Sequence, residues 1–304
     1  MSKTRTVAYF ALIATIVVWG ISFISMKIVL EAFSPVAFAV VRFLIATSIL
    51  IVVKMKTNKE RVKKEDLKLM ALTGFFATTL YFWCENNGVM RISANSSSII
   101  VATLPIGALI ADAIAYKSKI SMRSIRSIIL SVIGVYFVIG NDAISGTALG
   151  YVFMFGSVIA WCLYMVFTKP LFKKYSDITI TTYQAIFGTL GLFPFLLFEK
   201  GEAIRVNMIS GTVVFNLLFL AVICSSAANF AYTFSMKELG VEITSLFMNL
   251  LPVVTFVFSF LVLGEKLSIM QLFGAIIIIY SVYVVTKPQN TVSEEIIEEK
   301  ELEA

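Results

Sequence analysis

Residues 78–116 read TTLYFWCENNGVMRISANSSSIIVATLPIGALIADAIAY, two apolar segments that meet at a short polar corner. Polar side chains also stand inside both segments, where a helix surrounded by lipid would carry none. They are Tyr81, Glu85, Asn86, Asn95, Ser98 and Asp112. A carboxylate or an amide in hydrocarbon is costly unless it faces protein or a water-filled cavity. We therefore predict that these side chains line a cavity inside a membrane protein.

The composition of the whole chain supports a membrane protein. Of its 304 residues, 59% are hydrophobic and 14% are charged, whereas roughly 25% of residues are charged in a soluble domain. The mean hydropathy is +0.90, and a soluble protein this apolar would expose large sticky patches. We interpret the formal charge of +6 as an excess of basic residues in the loops between membrane spans. It therefore predicts no nucleic-acid partner.

Several kinds of chemistry are disfavoured by the residue types. The sequence has no histidine, the usual general base and the commonest zinc ligand. Cys84, Cys162 and Cys224 lie inside apolar segments without metal-ligand spacing, which predicts small buried hydrophobic residues. There is no HExxH motif, no Ser–His arrangement and no second carboxylate at the depth of Glu85. We expect no metal, no cofactor, no catalytic residue and no enzymatic activity.

A membrane span needs about 20 apolar residues. Ten segments qualify, at 7–30, 35–53, 67–90, 94–116, 122–140, 146–168, 177–198, 208–236, 240–263 and 268–286. The first is too long for a signal peptide and predicts an uncleaved span. With the N-terminus in the cytoplasm, most of the 25 lysines and arginines fall in cytoplasmic loops. This predicts a multi-pass protein of the cell (inner or plasma) membrane with both termini cytoplasmic, including an acidic tail at 288–304.

The second half of the chain repeats the first. When Pro105 is placed on Pro252, residues 78–139 and 225–286 overlay without a gap, and polar positions keep the i, i+3, i+4 spacing of one helix face. The overlaid pairs include Thr78/Ser225, Glu85/Tyr232, Ser98/Ser245 and Ala102/Asn249. Each copy holds five spans, an odd number, so the copies must insert in opposite orientations. We predict an all-α integral membrane fold of ten transmembrane helices in two inverted five-helix repeats, 1–141 and 142–287.

Short motifs place the chain near a known family. They are WGISF at 19–23, RFL at 42–44, NGVMR at 87–91, FSMK at 234–237, LP at 251–252 and LGEK at 263–266. With these motifs the sequence resembles the drug/metabolite transporter superfamily, EamA type, over residues 7–286. The resemblance implies a central cavity lined by spans 1, 3, 4, 6, 8 and 9, and efflux of small metabolites or amino acids.

Two charged residues stand at matched depth. By helical rise, Glu85 lies ~8 Å and Arg42 ~10 Å below the outer face, so an Arg42–Glu85 ion pair is sterically reasonable. One interpretation is a static pair that joins spans two and three. The other is a cavity carboxylate that takes up a proton or binds a cationic group of the substrate.

The other candidate residues follow from polarity and helix geometry. Pro105 and Pro252 each free a backbone carbonyl and bend a helix, which predicts either packing kinks or paired hinges for alternating access. Asp112 lies ~6 Å from the inner face and is expected to reach Lys117 or Arg123. The predicted substrate cavity consists of Trp19, Tyr81, Glu85, Asn86, Ser98, Trp161, Asn229, Tyr232 and Asn249.

These observations predict a secondary transporter that exports a small polar metabolite, an amino acid or an amine across the plasma membrane by alternating access. Its partners are the small-molecule substrate, the lipid bilayer and, as a candidate coupling ion, the proton. A multidrug carrier for cationic compounds is the alternative. A passive channel would need rings of like charge or carbonyl filters, which the sequence does not display.

Overall fold

The structure is a computed structural model that describes residues 3–117, 120–139, 147–199, 202–263 and 269–286. Three features of the sequence analysis lie outside these residues: the acidic tail at 288–304, the boundary between the repeats at 141 and 142, and positions 264–266 of the LGEK motif.

The described chain is built from α-helices that run back and forth through one bundle. In chain order they are α1 (Lys3–Ala32), α2 (Pro35–Thr57), α3 (Leu67–Gly74), α4 (Tyr81–Arg91), α5 (Ala94–Val101), α6 (Leu104–Tyr116), α7 (Met122–Ile139), α8 (Ala148–Thr168), α9 (Asp177–Leu196), α10 (Gly211–Leu218), α11 (Ala228–Leu239), α12 (Val241–Phe247), α13 (Leu250–Leu263) and α14 (Ile269–Thr286).

Seven helical stretches are long and apolar enough to cross a membrane. They are Lys3–Ala32, Pro35–Thr57, Lys64–Arg91, Ala94–Tyr116, Ala148–Lys173, Gly211–Leu239 and Val241–Phe258. The other predicted spans, at 122–140, 177–198 and 268–286, coincide with α7, α9 and α14, which are not among the seven. The all-helical membrane class is therefore confirmed, while ten spans and the inversion of the repeats stay predictions.

Two helices are interrupted just before a proline. The break between α5 and α6 precedes Pro105, and the break between α12 and α13 precedes Pro252. A proline has no N–H for the carbonyl four residues earlier. The chain closes both breaks with tighter bonds, from Thr103 N to the Ile100 carbonyl (2.9 Å) and from Asn249 N to the Leu246 carbonyl (3.2 Å). The two halves are thus interrupted at overlaid positions.

Two helices also contain a wide π-helical segment. One, Phe75–Leu80, joins α3 to α4, and the other, Phe219–Ala227, joins α10 to α11. In the overlay that places Pro105 on Pro252, the two segments overlap. Such segments are rare and frequently occur at functional sites. The sequence analysis did not predict them, because the apolar periodicity passes through them without a visible change.

Helices α2 and α9 lie side by side and are tied at both ends by glutamates. Glu199, which follows α9, accepts hydrogen bonds at the start of α2 from Val36 N (2.7 Å) and from the Ser34 hydroxyl. Glu60, which follows α2, accepts at the start of α9 from Ser176 N (3.0 Å) and Ser176 Oγ (2.7 Å). Each helix therefore ends in a loop whose carboxylate caps the first turn of its neighbour. We call the two ends of the bundle the Glu199 face and the Glu60 face.

Apolar side chains pack both inside and outside the bundle. The main core joins helices from both halves of the chain, with fully buried Leu12, Phe38 and Phe43 among its largest members. The outer surface is also apolar: Phe10 is 69% exposed and Leu197 is 85% exposed. Exposing such a surface to water would be unfavourable for a soluble protein, whereas the surface is compatible with contact with lipid.

Candidate functional site

A cavity lies between α1, α2, α4, α8 and the break before α13. Its polar and aromatic lining consists of Trp19, Ser22, Arg42, Tyr81, Glu85 and Trp161, and apolar side chains complete the wall. Arg42 and Glu85 lie nearer to the Glu199 face, which the loop charges predict to be the extracellular side. We therefore call this space the outer cavity. Four residues of the predicted cavity set, Trp19, Tyr81, Glu85 and Trp161, come together here.

Glu85 is a buried carboxylate in the wall of the outer cavity and is only 5% exposed. Its Oε1 accepts a hydrogen bond of 2.6 Å from the Tyr81 hydroxyl, one helical turn earlier on α4. This is the hydrogen bond that Glu85 makes within the described part of the chain, which leaves Oε2 available. A carboxylate in this position can accept from an ammonium group of a bound solute.

Arg42 contributes a buried positive charge to the same cavity. Its Nε donates to Ser225 Oγ at 2.6 Å, across to the π-helical segment of the second half. The guanidinium carbon lies 4.7 Å from the ring centre of Phe82, a cation–π contact. A guanidinium has five N–H donors, so donors remain for a carboxylate group in the cavity.

The direct Arg42–Glu85 ion pair is a correction to the sequence analysis. No nitrogen of Arg42 lies within 4.0 Å of an oxygen of Glu85, although the structure describes both residues. The depth estimate placed the two residues at similar height, but helix rotation directs them to other partners, Ser225 and Tyr81. The outer cavity therefore presents two opposite charges that do not neutralise each other by contact.

Aromatic rings form a layer beneath the outer cavity. The Trp161 ring centre lies 5.5 Å from that of Trp19, 4.6 Å from that of Tyr81 and 4.8 Å from that of Tyr164. Tyr232, predicted as a cavity residue, is fully buried within this layer, 5.1 Å from Trp19. The Trp19 indole N–H donates to the Cys224 carbonyl at 3.0 Å, which supplies the acceptor that a buried indole requires.

A second space lies between the aromatic layer and the Glu60 face. We call it the inner cavity. Its polar lining consists of Thr78, Tyr164, Thr181, Gln184, Ser225, Asn229 and Thr233. Asn229 was predicted for the substrate cavity, and the structure places it here, where its amide donates to the Ser225 carbonyl at 2.9 Å.

Three predicted cavity residues lie outside both cavities instead, which corrects the sequence analysis: Asn86 and Asn249 bond to other helices, and Ser98 bonds to its own helix. Asn86 donates to the Pro35 carbonyl (2.9 Å), Ser98 donates to the Asn95 carbonyl (2.8 Å), and Asn249 donates to Ser131 Oγ on α7 (2.6 Å). All three are buried outside the lining of both cavities. A polar residue in hydrocarbon can be satisfied by a neighbouring helix as well as by a cavity, and helical spacing alone does not separate these cases.

Comparison with known proteins shows which family shares this architecture. The EamA-like transporter family matches residues 6–140 and again residues 148–287. The chain belongs to the EamA-like transporter family. The two matches cover nearly the whole chain and correspond to the two halves that carry the equivalent breaks, so the drug/metabolite transporter resemblance is confirmed.

Other transporters resemble this EamA-like chain over most of their length. An uncharacterized transporter of Archaeoglobus fulgidus is 25% identical over 279 residues, which cover 92% of this chain and 98% of the relative. The uncharacterized transporter YyaM of Bacillus subtilis is 27% identical, with 90% and 92% covered. A probable terminal-alkyne amino-acid exporter of Streptantibioticus cattleyicolor is 23% identical, with 92% and 93% covered. These names indicate transport rather than catalysis.

A solved crystal structure shares the fold of this EamA-like chain. It superposes with a TM-score of 0.75 at 13% sequence identity and covers 94% of this chain and 99% of the other. At this identity the likeness concerns the fold alone.

The Glu60 face of the EamA-like bundle carries a further charge contact. Lys169 Nζ, at the end of α8, lies 2.7 Å from Asp112 Oδ1 on α6. The sequence analysis expected Lys117 or Arg123 as the partner of Asp112 and did not name Lys169. On the adjoining helices, the Ser124 hydroxyl donates to Glu242. These contacts join α6 to α8 and α7 to α12 at the end of the inner cavity.

Sequence reasoning missed most of the inner cavity of this EamA-like protein. Thr181 and Gln184 belong to the segment ITITTYQ of α9, residues 178–184, and polar side chains in an apolar span were the signal used elsewhere. The same criterion applied to this segment would have found them. Ser22 lines the outer cavity and lies in the quoted WGISF motif, where its hydroxyl donates to the Trp19 carbonyl at 2.7 Å.

Proposed function

We propose that this protein is a secondary transporter that exports a small polar metabolite, an amino acid or an amine by alternating access. Ten spans in two inverted repeats would surround the cavities in the plasma membrane, with both termini in the cytoplasm. Family membership supports the general activity, and the cavity residues support the choice of solute.

The observation that carries the proposal is the pair of opposite charges in the outer cavity. Arg42 and Glu85 are buried in the lining of one cavity but do not contact each other. A buried charge without a counter-charge in direct contact is costly, so a solute that offers both charges would be stabilised between them. The carboxylate of an amino acid suits the guanidinium, and its ammonium group suits Glu85. The neighbouring indole rings of Trp19 and Trp161 would contact its side chain.

Alternating access is supported by the positions of the helix breaks and the π-helical segments. Each half has one proline-linked break and one π-helical segment, and both fall at overlaid positions. Exposing one site to either side in turn requires a flexure in each half. In this proposal Pro105 and Pro252 mark the two hinges.

The first experiment identifies the solute. Purified protein is heated with amino acids, with polyamines and with cationic dyes, because a bound ligand raises the melting temperature. The solute that stabilises most is then tested for flux into liposomes. A carrier saturates and shows counterflow, whereas linear flux without counterflow would indicate a channel. Stabilisation by the dyes alone would favour a carrier of cationic compounds.

The second experiment replaces Glu85 by glutamine. We expect Glu85→Gln to abolish transport and leave the melting temperature of the empty protein nearly unchanged, since the amide keeps the size of the side chain. Glu31→Gln, an exposed position at the Glu199 face, is the matched control and should transport normally. If Glu85→Gln loses fold and transport together, the carboxylate has a structural role instead. Flux that no longer responds to a pH gradient, with binding retained, would assign proton coupling to Glu85.

A further inference from the structure

The inner cavity differs from the outer cavity in its charge. Every side chain that lines the inner cavity within the described part of the chain is uncharged, and seven of the twelve carry a hydroxyl or an amide. The outer cavity is lined by Arg42 and Glu85. A solute that passes from one to the other therefore leaves a charged environment for a neutral, hydrogen-bonding one.

The two cavities are stacked along the bundle. Thr181 is four residues into α9, ~6 Å from the helix start at the Glu60 face, and Gln184 is ~10 Å from it. Arg42 is seven residues into α2, ~10 Å from the helix start at the Glu199 face. Both cavities are lined by the same indole, that of Trp161. The route between the two faces therefore passes this ring.

Two contacts hold the partition between the cavities closed. Trp161 is 3% exposed and packs against the rings of Tyr81 and Tyr164, with ring centres 4.6 Å and 4.8 Å away. Beside it, Arg42 in the outer cavity donates to Ser225 Oγ in the inner cavity at 2.6 Å. Passage of a solute between the cavities would require the ring to turn or this hydrogen bond to open.

One polar group of the inner cavity lacks a partner. The Thr181 hydroxyl oxygen is buried and makes no hydrogen bond within the described residues. An unsatisfied buried hydroxyl costs free energy, and a polar solute beside it would remove that cost. Gln184, one turn later on α9, already donates to Thr168 Oγ1 at 2.9 Å and keeps its carbonyl oxygen as an acceptor.

We propose that the inner cavity is a second solute-binding site, selective for net-neutral polar solutes, and that Trp161 is the partition between it and the outer cavity. The role of this site in export rests on the proposed transport function. Its selectivity follows from the lining: a neutral or zwitterionic solute can bind hydroxyls and amides there, whereas an isolated charge would be desolvated without a counter-charge. Charge selection would therefore occur at the inner cavity.

The test measures chemical access to Thr181→Cys in the full chain, in sealed vesicles of known orientation. Two reagents of similar size are compared, the neutral 2-hydroxyethyl and the cationic 2-aminoethyl methanethiosulfonate. Free cysteine on the opposite side consumes any reagent that crosses the bilayer. The unmodified protein is the blank and measures the background, because its three cysteines are buried outside the lining of both cavities. Leu190→Cys, on the outer surface of the same helix and 58% exposed, is the control in lipid, where a thiol stays protonated and unreactive.

We expect Thr181→Cys to react from the Glu60 face and not from the Glu199 face. The neutral reagent should react at least about tenfold faster than the cationic one. Adding Trp161→Ala should make the same thiol reactive from the Glu199 face as well. Leu190→Cys should stay unlabelled under all conditions.

Three outcomes would overturn the proposal. No reaction from either face would show a closed void, equal rates for both reagents would remove the charge selection, and reaction from both faces with Trp161 intact would remove the partition. Ala185→Cys, also in the lining of the inner cavity, serves as the reporter if Thr181→Cys does not fold. Labelling does not depend on flux, so failure here is separate from failure of the export proposal.

Discussion

At the scale of single residues, the molecule keeps a guanidinium in a largely aromatic setting. Arg42 is 2% exposed and lies against the rings of Phe38, Phe43 and Phe82. Its Nε is engaged by Ser225 in the other half of the chain. A flat, delocalised cation tolerates this environment better than a strongly hydrated ammonium does. The position is therefore suited to an arginine and to no other cation.

This leads to a prediction for Arg42→Lys. Lysine retains the charge but loses the planar donors and the Ser225 contact, so we expect about tenfold weaker binding of the solute found by thermal shift, or about 1.4 kcal/mol. Calorimetric titration measures the affinity. Arg205→Lys, at an exposed arginine that donates to the Glu31 carbonyl, is the matched control and should bind normally. Unchanged affinity of Arg42→Lys would remove the guanidinium from the binding site.

At the scale of elements, the frame of the bundle is the pair α2 and α9, capped reciprocally by Glu199 and Glu60. Burial raises the pKa of the Glu60 carboxyl, but hydrogen bonds from Ser176 and Thr179 and the nearby charge of Lys54 outweigh it, and the net pKa lies below the ordinary 4.5. The cap therefore contributes its full stability above pH 4.5 and loses it as the pH falls through the lowered pKa of the folded protein.

We expect Glu60→Gln to lower the stability at neutral pH by about 1 kcal/mol, the usual contribution of a helix cap. The difference from the unmodified protein should shrink as the pH falls below 4.5, because the native carboxylate is then protonated as well. Thermal unfolding in detergent at several pH values measures both effects. Glu65→Gln removes a carboxylate whose side chain is 70% exposed and should leave the melting temperature unchanged. A loss that is constant with pH would contradict the charged cap.

The proline-linked breaks are also features of this scale. We expect Pro105→Ala and Pro252→Ala to slow solute turnover several-fold while binding changes little, because an alanine restores the N–H and straightens a helix that has to flex. Flux rates and equilibrium binding, measured on the same preparation, separate the two effects. Pro194→Ala, within α9 and away from both breaks, is the control. Unchanged turnover in both variants would remove the hinges.

At the scale of the whole molecule, the orientation and the inverted arrangement of the halves stay predictions. The loop after α2 and the loop after α9 lie at opposite ends of the bundle, as the reciprocal caps show. Basic residues concentrate in the first of these loops, at 54–64, which favours its cytoplasmic placement.

A labelling experiment tests this orientation. We expect Lys59→Cys to react with an impermeant maleimide only from the cytoplasmic side, and Val206→Cys, 75% exposed in the loop after α9, only from the outside. The unmodified protein is again the blank. Reaction of both thiols from one side would contradict the bundle as a transmembrane unit, and reversed sides would invert the proposed direction of export.

The predictable part of the site consists of properties that one residue or one helix face displays. Glu85, Tyr81, Trp19 and Trp161 were found because each is costly in hydrocarbon, and the structure brings them to one cavity. Asn249 was equally costly, yet it lies outside both cavities, and its amide donates to Ser131 on a neighbouring helix. Cost in lipid indicates that a partner is needed, but it does not say whether the partner is water, solute or protein.

The amino-acid sequence by itself determined the membrane class, the family and the positions of the breaks, because length, hydropathy and proline act locally along the chain. Only the tertiary structure decided which polar groups meet, such as Arg42 with Ser225 and Asp112 with Lys169. Those pairs depend on how each helix is rotated and how far it is shifted against its neighbour. Many residues distant in the chain set these two quantities jointly, so no single stretch records them.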